Sequence, residues 1–405
     1  MITPQFLILL GLIVLPLCLG FSFSPVFLDA VDPRNAKDFL SVLISLLATG
    51  MFFRCHPKVS RVPLPLLLLL GFCVTRCFLT PLFSFPLLNT SEDSIWQYRA
   101  LSYCFIFSLL FLVVSNVCWS SRLLKRLFTT VCWVGFLTAV YCIIQWFHLD
   151  QWQTLLPRED LRYTPSPQVV GTMTHVTLAA AFLIIPLPFM IQTRRWLQVV
   201  TVLIAIYLCH SDVAYGGAIF VLLCYGLLKR GWWRRLTFGA ISVGVFILLV
   251  SPWNKIRIQD SGRFSIWKQV WSDVIKTPLE NNKTYFLTGY GLGSYRYLFT
   301  SLHTTTVTNK IKKIAFNKAH NEYVEWFYNT GAIGTALLLF FIFYLITKTI
   351  PYTIIDERYL AILCAFIGVC VCAGGTFVWQ IEPHRFFTVV LAGLIQNRIN
   401  QGEKV

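Results

Sequence analysis

The stretch "KAHNEYVEWFYNTGAIGTALLLFFIFYLI", residues 318–346, decides what kind of molecule this is. It opens with a histidine, an asparagine and two glutamates, and residues 331–347 then carry no charge. A run of that kind suits a helix crossing a bilayer, since roughly 20 mostly apolar residues span the hydrocarbon core. Ionisable groups ahead of it are costly in lipid and belong at the membrane surface. In one continuous helix the spacing would align His320, Val324, Phe327, Gly331 and Gly334 in a single stripe, because whole turns recur at 100° per residue. Gly331 and Gly334 would then form a small-x-x-small notch for a second helix. Tyr323, Trp326, Phe327 and Tyr328 suit an interfacial aromatic belt.

The rest of the chain repeats the apolar signal. Of 405 residues, 56% are hydrophobic and 13% charged, with mean hydropathy +0.65, a composition far from that of a soluble domain. Spans are expected at 5–24, 39–53, 63–82, 100–118, 127–146, 171–192, 196–210, 213–228, 236–252, 331–347, 359–379 and 386–397. The first carries no basic charge at its start and no clear small-x-small cleavage site, so it reads as a retained span. The expected fold is an all-α polytopic membrane protein of about 12 helices. Residues 1–252 would hold the first nine, 253–321 a mostly helical insertion, and 322–405 the last three, all in one integral membrane domain.

Charge orients this arrangement. With the N-terminus cytoplasmic, the cytoplasmic segments collect 16 basic residues against three acidic ones. The short loops on the other side hold six basic and nine acidic residues, as the positive-inside rule requires. Both termini are then cytoplasmic. Residues 253–321 depart from the pattern, with eleven Lys/Arg against Asp260, Asp273 and Glu280. Such a loop either tolerates its charge near anionic headgroups or receives an anionic ligand. The 13 cysteines lie in or beside the spans and are absent from the large loop, so they read as small packing residues. No metal site and no nucleic-acid partner are expected.

Within the loop, "DSGRFSIWKQVWSDVIKTP" places Trp267, Val270, Trp271, Val274 and Ile275 at helical spacing, with Asp260 or Ser261 as cap and Pro278 as stop. Arg263 falls in the first turn, where a guanidinium and free backbone N–H groups can face one anion. Then "LTGYGLGSYRYLF" offers Gly289, Gly291 and Gly293 for a tight turn, with Arg296 as a second anion contact. The spacing is not that of a dinucleotide loop. An imidazole at residue 320, at the surface and facing the bundle, can accept a proton near pH 7.

These residues together resemble the O-antigen ligases, with the related O-antigen polymerases and protein O-oligosaccharyltransferases. The signature His-(Asn/Ser/Gln), nine residues, Gly-x-x-Gly-(Thr/Ser) is matched by His320-Asn321, residues 322–330, and Gly331-Ala-Ile-Gly334-Thr335. "SGRFSIW" and "TGYGLGSY" look like the Gly-Arg and Gly-x-Gly elements of the same loop, with Arg263 in the Arg position. "GTMTHVTLAAAFL", residues 171–183, is similar to a further segment through Gly171, His175 and Ala179, with Val176 and Thr177 in place of the usual Pro-Asn. Where relatives often carry Ser-Arg-Gly this chain has "CHSDVAYGG", with Asp212 and Tyr215 at the candidate positions. Arg76, alone inside the third span, or Arg162 is expected to substitute for the missing arginine.

The resemblance implies a GT-C-like, metal-independent glycosyltransferase of the bacterial inner membrane, without cofactors and working at the periplasmic face. It implies transfer of a glycan from undecaprenyl diphosphate to a hydroxyl of lipid A-core, amid membrane lipids. By resemblance, His320 would take or orient the acceptor proton and Arg263 would neutralise the diphosphate. Asn321, Arg296, His175 and Arg76 would bind substrate, and Gly331, Gly334 and Thr335 would set the packing that fixes the histidine. Glu322 and Glu325 fall off the stripe and read as structural. A polymerase or an O-oligosaccharyltransferase would share the chemistry with another acceptor. A transporter would also suit the span count, but the ionisable candidates cluster at one surface rather than at the midplane.

Overall fold

The computed structural model describes residues 3–17, 33–55, 62–83, 91–147, 149, 169, 173, 175–229, 231, 263–276, 284–295 and 318–402. Side chains are described for all of these except 33–38, 55, 76–83, 91–99, 263–265, 275–276 and 284. Every regular element among the described residues is helical.

In chain order these are α1 (Pro4–Leu17), α2 (Pro33–Cys55), α3 (Leu64–Phe83), α4 (Ser91–Asn116), α5 (Ser121–Trp146), α6 (Val176–Ile184) and α7 (Leu187–Gln192). There follow α8 (Trp196–Leu208), α9 (Asp212–Leu228), α10 (Arg263–Trp271) with a π-turn at Ser272–Lys276, and α11 (Thr284–Thr288). The last are α12 (Glu322–Ile355), α13 (Glu357–Ala373) and α14 (His384–Gly402). Helices α5 and α12 are each long and apolar enough to cross a membrane, and shorter apolar helices accompany them. The interval expected at 236–252 lies outside the described residues, and the other expected intervals coincide with helices at shifted edges.

Local chemistry accounts for the edges. The Ser120 hydroxyl caps α5 by accepting from Leu123 N at 3.3 Å, which satisfies one of the first-turn donors. The stretch expected as one span at 171–192 is two helices, because Pro186 has no N–H to continue the ladder. The bend is used: Gly135 on α5 lets the Pro186 ring in so closely that a Cβ would lie 2.5 Å or less from it. A side chain at residue 135 would force the two helices apart, at about 1–3 kcal/mol.

The core forms around α6, α9, α13 and α14. Ile184 at the end of α6 is fully buried and reaches both Gly217 on α9 and Gly368 on α13. Helix α14 lies along α4, where the Asn397 side chain donates to the carbonyls of Ser115 and Val117 at 2.9 Å each. Those carbonyls close the end of α4, where no further helical N–H is available. A smaller buried cluster joins α10 to α12 through Ile266, Val270, Val274, Tyr295, Ala319 and Tyr328. In α10 the buried face therefore runs through 266, 270 and 274, and Trp271, expected on the apolar face, is 60% exposed. The difference is one of phase: Ile266 belongs to the face, and Trp271 lies about 100° round from its centre at Val270.

Candidate active site

Helix α12 begins at Glu322, two residues after His320. Asn321 is extended (φ −158°), and its Oδ1 accepts from the amides of Tyr323 at 3.0 Å and Val324 at 3.2 Å. It is the N-cap, so His320 stands outside the helix, at φ +52°. That backbone is left-handed, a conformation costing a non-glycine residue roughly 1–2 kcal/mol. The expected stripe of His320, Val324, Phe327, Gly331 and Gly334 is thus corrected: a cap precedes the helix and turns cannot be counted back through it. Neighbours hold the histidine instead. Ala319, fully buried, accepts at its carbonyl from Trp267 Nε1 (2.8 Å) and donates its amide to Glu325 Oε2 (3.2 Å).

The His320 ring packs edge-on against Phe377, with centroids 5.2 Å apart. His175 packs against the same phenyl ring, at 6.3 Å. The two histidines singled out from segments 145 positions apart therefore flank one aromatic side chain. His175 is also the N-cap of α6, its Nδ1 accepting from Thr177 N at 3.3 Å. An accepting Nδ1 leaves Nε2 as the protonated nitrogen of the neutral ring. Phe377 lies in the turn between α13 and α14, and Glu322 fastens that turn. Its Oε1 accepts from Trp379 N (2.8 Å) and its Oε2 from Gln380 Nε2 (2.9 Å). Glu322 and Glu325, both buried, thus tie chain segments around His320.

Gly331 interrupts α12 with φ 64° and ψ −165°. Such a break frees carbonyls of the preceding turn, which must find other donors. Tyr290 N donates to Tyr328 O at 3.0 Å and Gly291 N to Asn329 O at 2.8 Å. Gly289, Gly291 and Gly293 all have positive φ, as the expected tight turn requires. A Cβ on Gly331 would lie 2.5 Å from Gly289 N, and one on Gly289 would lie 2.4 Å from Thr330 N. So the notch at Gly331 receives the backbone of the last turn of α11 and of the glycine turn after it. Gly334 faces the Phe72 ring of α3, and its carbonyl accepts from Trp326 Nε1 at 3.0 Å. Thr335 donates its hydroxyl to Gly331 O at 2.8 Å.

Asn329 completes the seam. Its Oδ1 accepts from Ser294 Oγ (3.0 Å) and Tyr295 N (2.9 Å). The Tyr290 hydroxyl donates to Asp273 O at 2.9 Å. Burial, with Asp273 and Tyr285 nearby, pushes that phenol up to about 12, so it stays a neutral donor.

A cavity of about 350 Å³ adjoins these ties, walled by Lys318, Glu322, Glu325, Trp326, Asn329, Trp379, Gln380 and Arg385, with Tyr103 and Phe107 of α4. Neither His320 nor His175 is among its walls. Arg385 is held by Glu382 (Nε to Oε1, 2.9 Å) and lies over Tyr103 and Phe107, 4.2 and 4.9 Å from their ring centroids. Sequence reasoning singled out neither Arg385, Phe377 nor Asn329. A lone arginine in a short loop between two apolar stretches was the one available signal for Arg385.

The other candidates are placed as follows. Arg263 opens α10, one turn before Trp267, and Arg76 lies in α3, both described by backbone alone. Arg296, Arg162 and Gly171 lie outside the described residues. Tyr215 donates its hydroxyl to Tyr207 O at 2.8 Å and so closes the α8–α9 turn.

A family model described as O-antigen ligase matches residues 197–339. The matched segment contains α8 to α11, His320 and the first half of α12. No curated protein matches the chain.

Proposed function

We propose, from a chain whose residues 197–339 carry the O-antigen ligase family match, that the protein transfers a glycan from undecaprenyl diphosphate to a hydroxyl of lipid A-core. The observation that carries this reading is the convergence of His320 and His175 on Phe377. Two imidazoles at one end of an apolar bundle supply proton acceptors where a lipid-borne donor and a water-borne hydroxyl can meet.

In the proposed step the acceptor oxygen bonds to the anomeric carbon of the glycan while the bond from that carbon to the diphosphate breaks. The hydroxyl proton passes to His320, and the electron pair leaves with the diphosphate. Arg263 neutralises that charge. It stands one turn from Trp267, whose indole is bonded to Ala319 O, so α10 is tethered next to His320. Asn321 acts by capping α12 and fixing the backbone at His320, and His175 orients a substrate hydroxyl. Arg296 and Arg76 remain assigned to the diphosphate by the sequence pattern. The helices would cross the inner membrane about 12 times with both termini cytoplasmic and this end periplasmic.

The test is glycan transfer by purified full-length protein with undecaprenyl-diphosphate-linked glycan and lipid A-core. His320→Asn, which tolerates left-handed backbone, should lower the rate by about 100-fold or more while thermal unfolding stays unchanged. Unaltered transfer by His320→Asn and by Arg263→Gln would remove the active-site assignment. Transfer only to glycan acceptors would assign a polymerase instead.

A further inference from the structure

Beside that cavity, whose walls mix charged and apolar side chains, lies an almost wholly apolar one of about 190 Å³, and the two share Phe107, Trp379 and Arg385. Leu66, Phe111, Phe341, Phe366, Val389 and Ala392 are among the walls of the second. We infer that Arg385 binds the phosphate head of an amphiphile whose hydrocarbon chain occupies this apolar cavity, an isoprenoid diphosphate being the class that fits. The inference deepens the lipid-linked donor reading and rests on it.

Three observations meet at Arg385. Its side chain is only 11% exposed, and burying a guanidinium in an apolar bundle is costly unless it is paired. Glu382, itself fully buried, supplies the pair and with the two aromatic rings fixes the fork in position. That pairing explains the charge. It does not explain why the arginine stands where a space walled partly by charged side chains joins an almost wholly apolar one. Second, Trp379 Nε1 is a buried N–H donor without a partner among the described residues, and Trp379 walls both cavities. A buried donor is normally satisfied, and a phosphate oxygen at the junction would satisfy it. Third, the first cavity continues past the junction to Glu322 and Glu325. Their carboxylates already accept from Trp379 N, Gln380 Nε2 and Ala319 N, which offsets part of their charge. Sugar hydroxyls beyond the phosphate are the donors such carboxylates accept. The order of environments, apolar, cationic, then hydrogen-bonding, is that of a lipid tail, its diphosphate and a glycan.

The experiment titrates full-length protein in detergent with farnesyl diphosphate, inorganic diphosphate or phosphatidylglycerol, read by tryptophan fluorescence. Farnesyl diphosphate should bind more tightly than inorganic diphosphate, and phosphatidylglycerol should not displace it. Arg385→Gln should weaken farnesyl diphosphate about tenfold or more, and Arg385→Lys less. Should Arg385→Gln fail to fold beside the unpaired Glu382, Leu338→Trp decides, because Leu338 walls only the apolar cavity and leaves the ion pair intact. It should weaken farnesyl diphosphate and leave inorganic diphosphate unchanged. Unchanged farnesyl diphosphate affinity in either variant, or its displacement by phosphatidylglycerol, would overturn the inference. His320→Asn should bind farnesyl diphosphate like the parent, so a failure of the transfer reading shows in the rate assay while this titration stands.

Discussion

The two ends of the bundle are closed by different means. At the end carrying His320, most of the contacts use a backbone group on at least one side and are buried or half-buried: Gly291 N to Asn329 O, Tyr295 N to Asn329 Oδ1, Trp379 N to Glu322 Oε1. At the opposite end, α7, α9 and α13 meet through side chains alone. Lys229 Nζ and Gln192 Nε2 both reach Glu357 Oε2, at 2.9 and 3.0 Å, and the Tyr225 hydroxyl donates to Gln192 Oε1. Glu357 is 53% exposed there. Water can replace the partners of the exposed Glu357 carboxylate, whereas a buried amide such as Tyr295 N at the first end has no such substitute. The first end holds the geometry around His320, while the second joins a water-exposed corner at Glu357 to the buried bonds from Asn397 that tie α14 to the end of α4.

The contrast predicts a ranking of substitutions. Gly331→Ala should be the most damaging, because its φ of 64° and a Cβ 2.5 Å from Gly289 N admit no side chain. A loss of about 3 kcal/mol or more is expected in thermal unfolding. A variant melting with the parent would erase the distinction between the ends. Asn329→Ala removes the buried acceptor of Tyr295 N and Ser294 Oγ, and should cost about 2 kcal/mol in denaturant unfolding. Asn321→Ala removes the cap of α12 and should cost about 1 kcal/mol, read by the same titration.

The smallest effect belongs to the opposite end, where Glu357→Gln should change stability by less than about 1 kcal/mol. Hydrogen bonds from Gln192 and Lys229 hold the Glu357 carboxyl below its usual range. Its contribution is therefore present above the ordinary glutamate pKa and lost as pH falls through the lowered value. Parent and variant should converge in melting temperature on acidification. A larger gap at acid than at neutral pH would reverse that sign.

Much of the helical layout was legible because apolar runs long enough to span lipid have few other readings. Pro186 was the exception, since it sits inside an uninterrupted apolar pattern and only its missing N–H divides α6 from α7. At the candidate site the motif residues were legible and their arrangement was not. Spacing put His320 on a helix, but spacing counts turns only where the backbone is helical, and Asn321 and Gly331 interrupt it on both sides. Glycine at residue 331 signalled a close approach without saying to what. Phe377 and Arg385 belong to a segment more than 50 residues beyond His320, and no local periodicity connects them. The partner of a turn is a tertiary fact.

The break at Gly331 carries a consequence for how the chain is assembled. The carbonyls of Tyr328 and Asn329, just before the break, accept from Tyr290 N and Gly291 N of the loop. Until that loop docks, both acceptors need water, and the hydrocarbon core of a bilayer supplies none. If α12 crosses a bilayer, it would rest at a depth where residue 331 is hydrated until that loop docks. In that setting the glycine would act as a depth mark, setting how far α12 enters before the rest of the site closes over it.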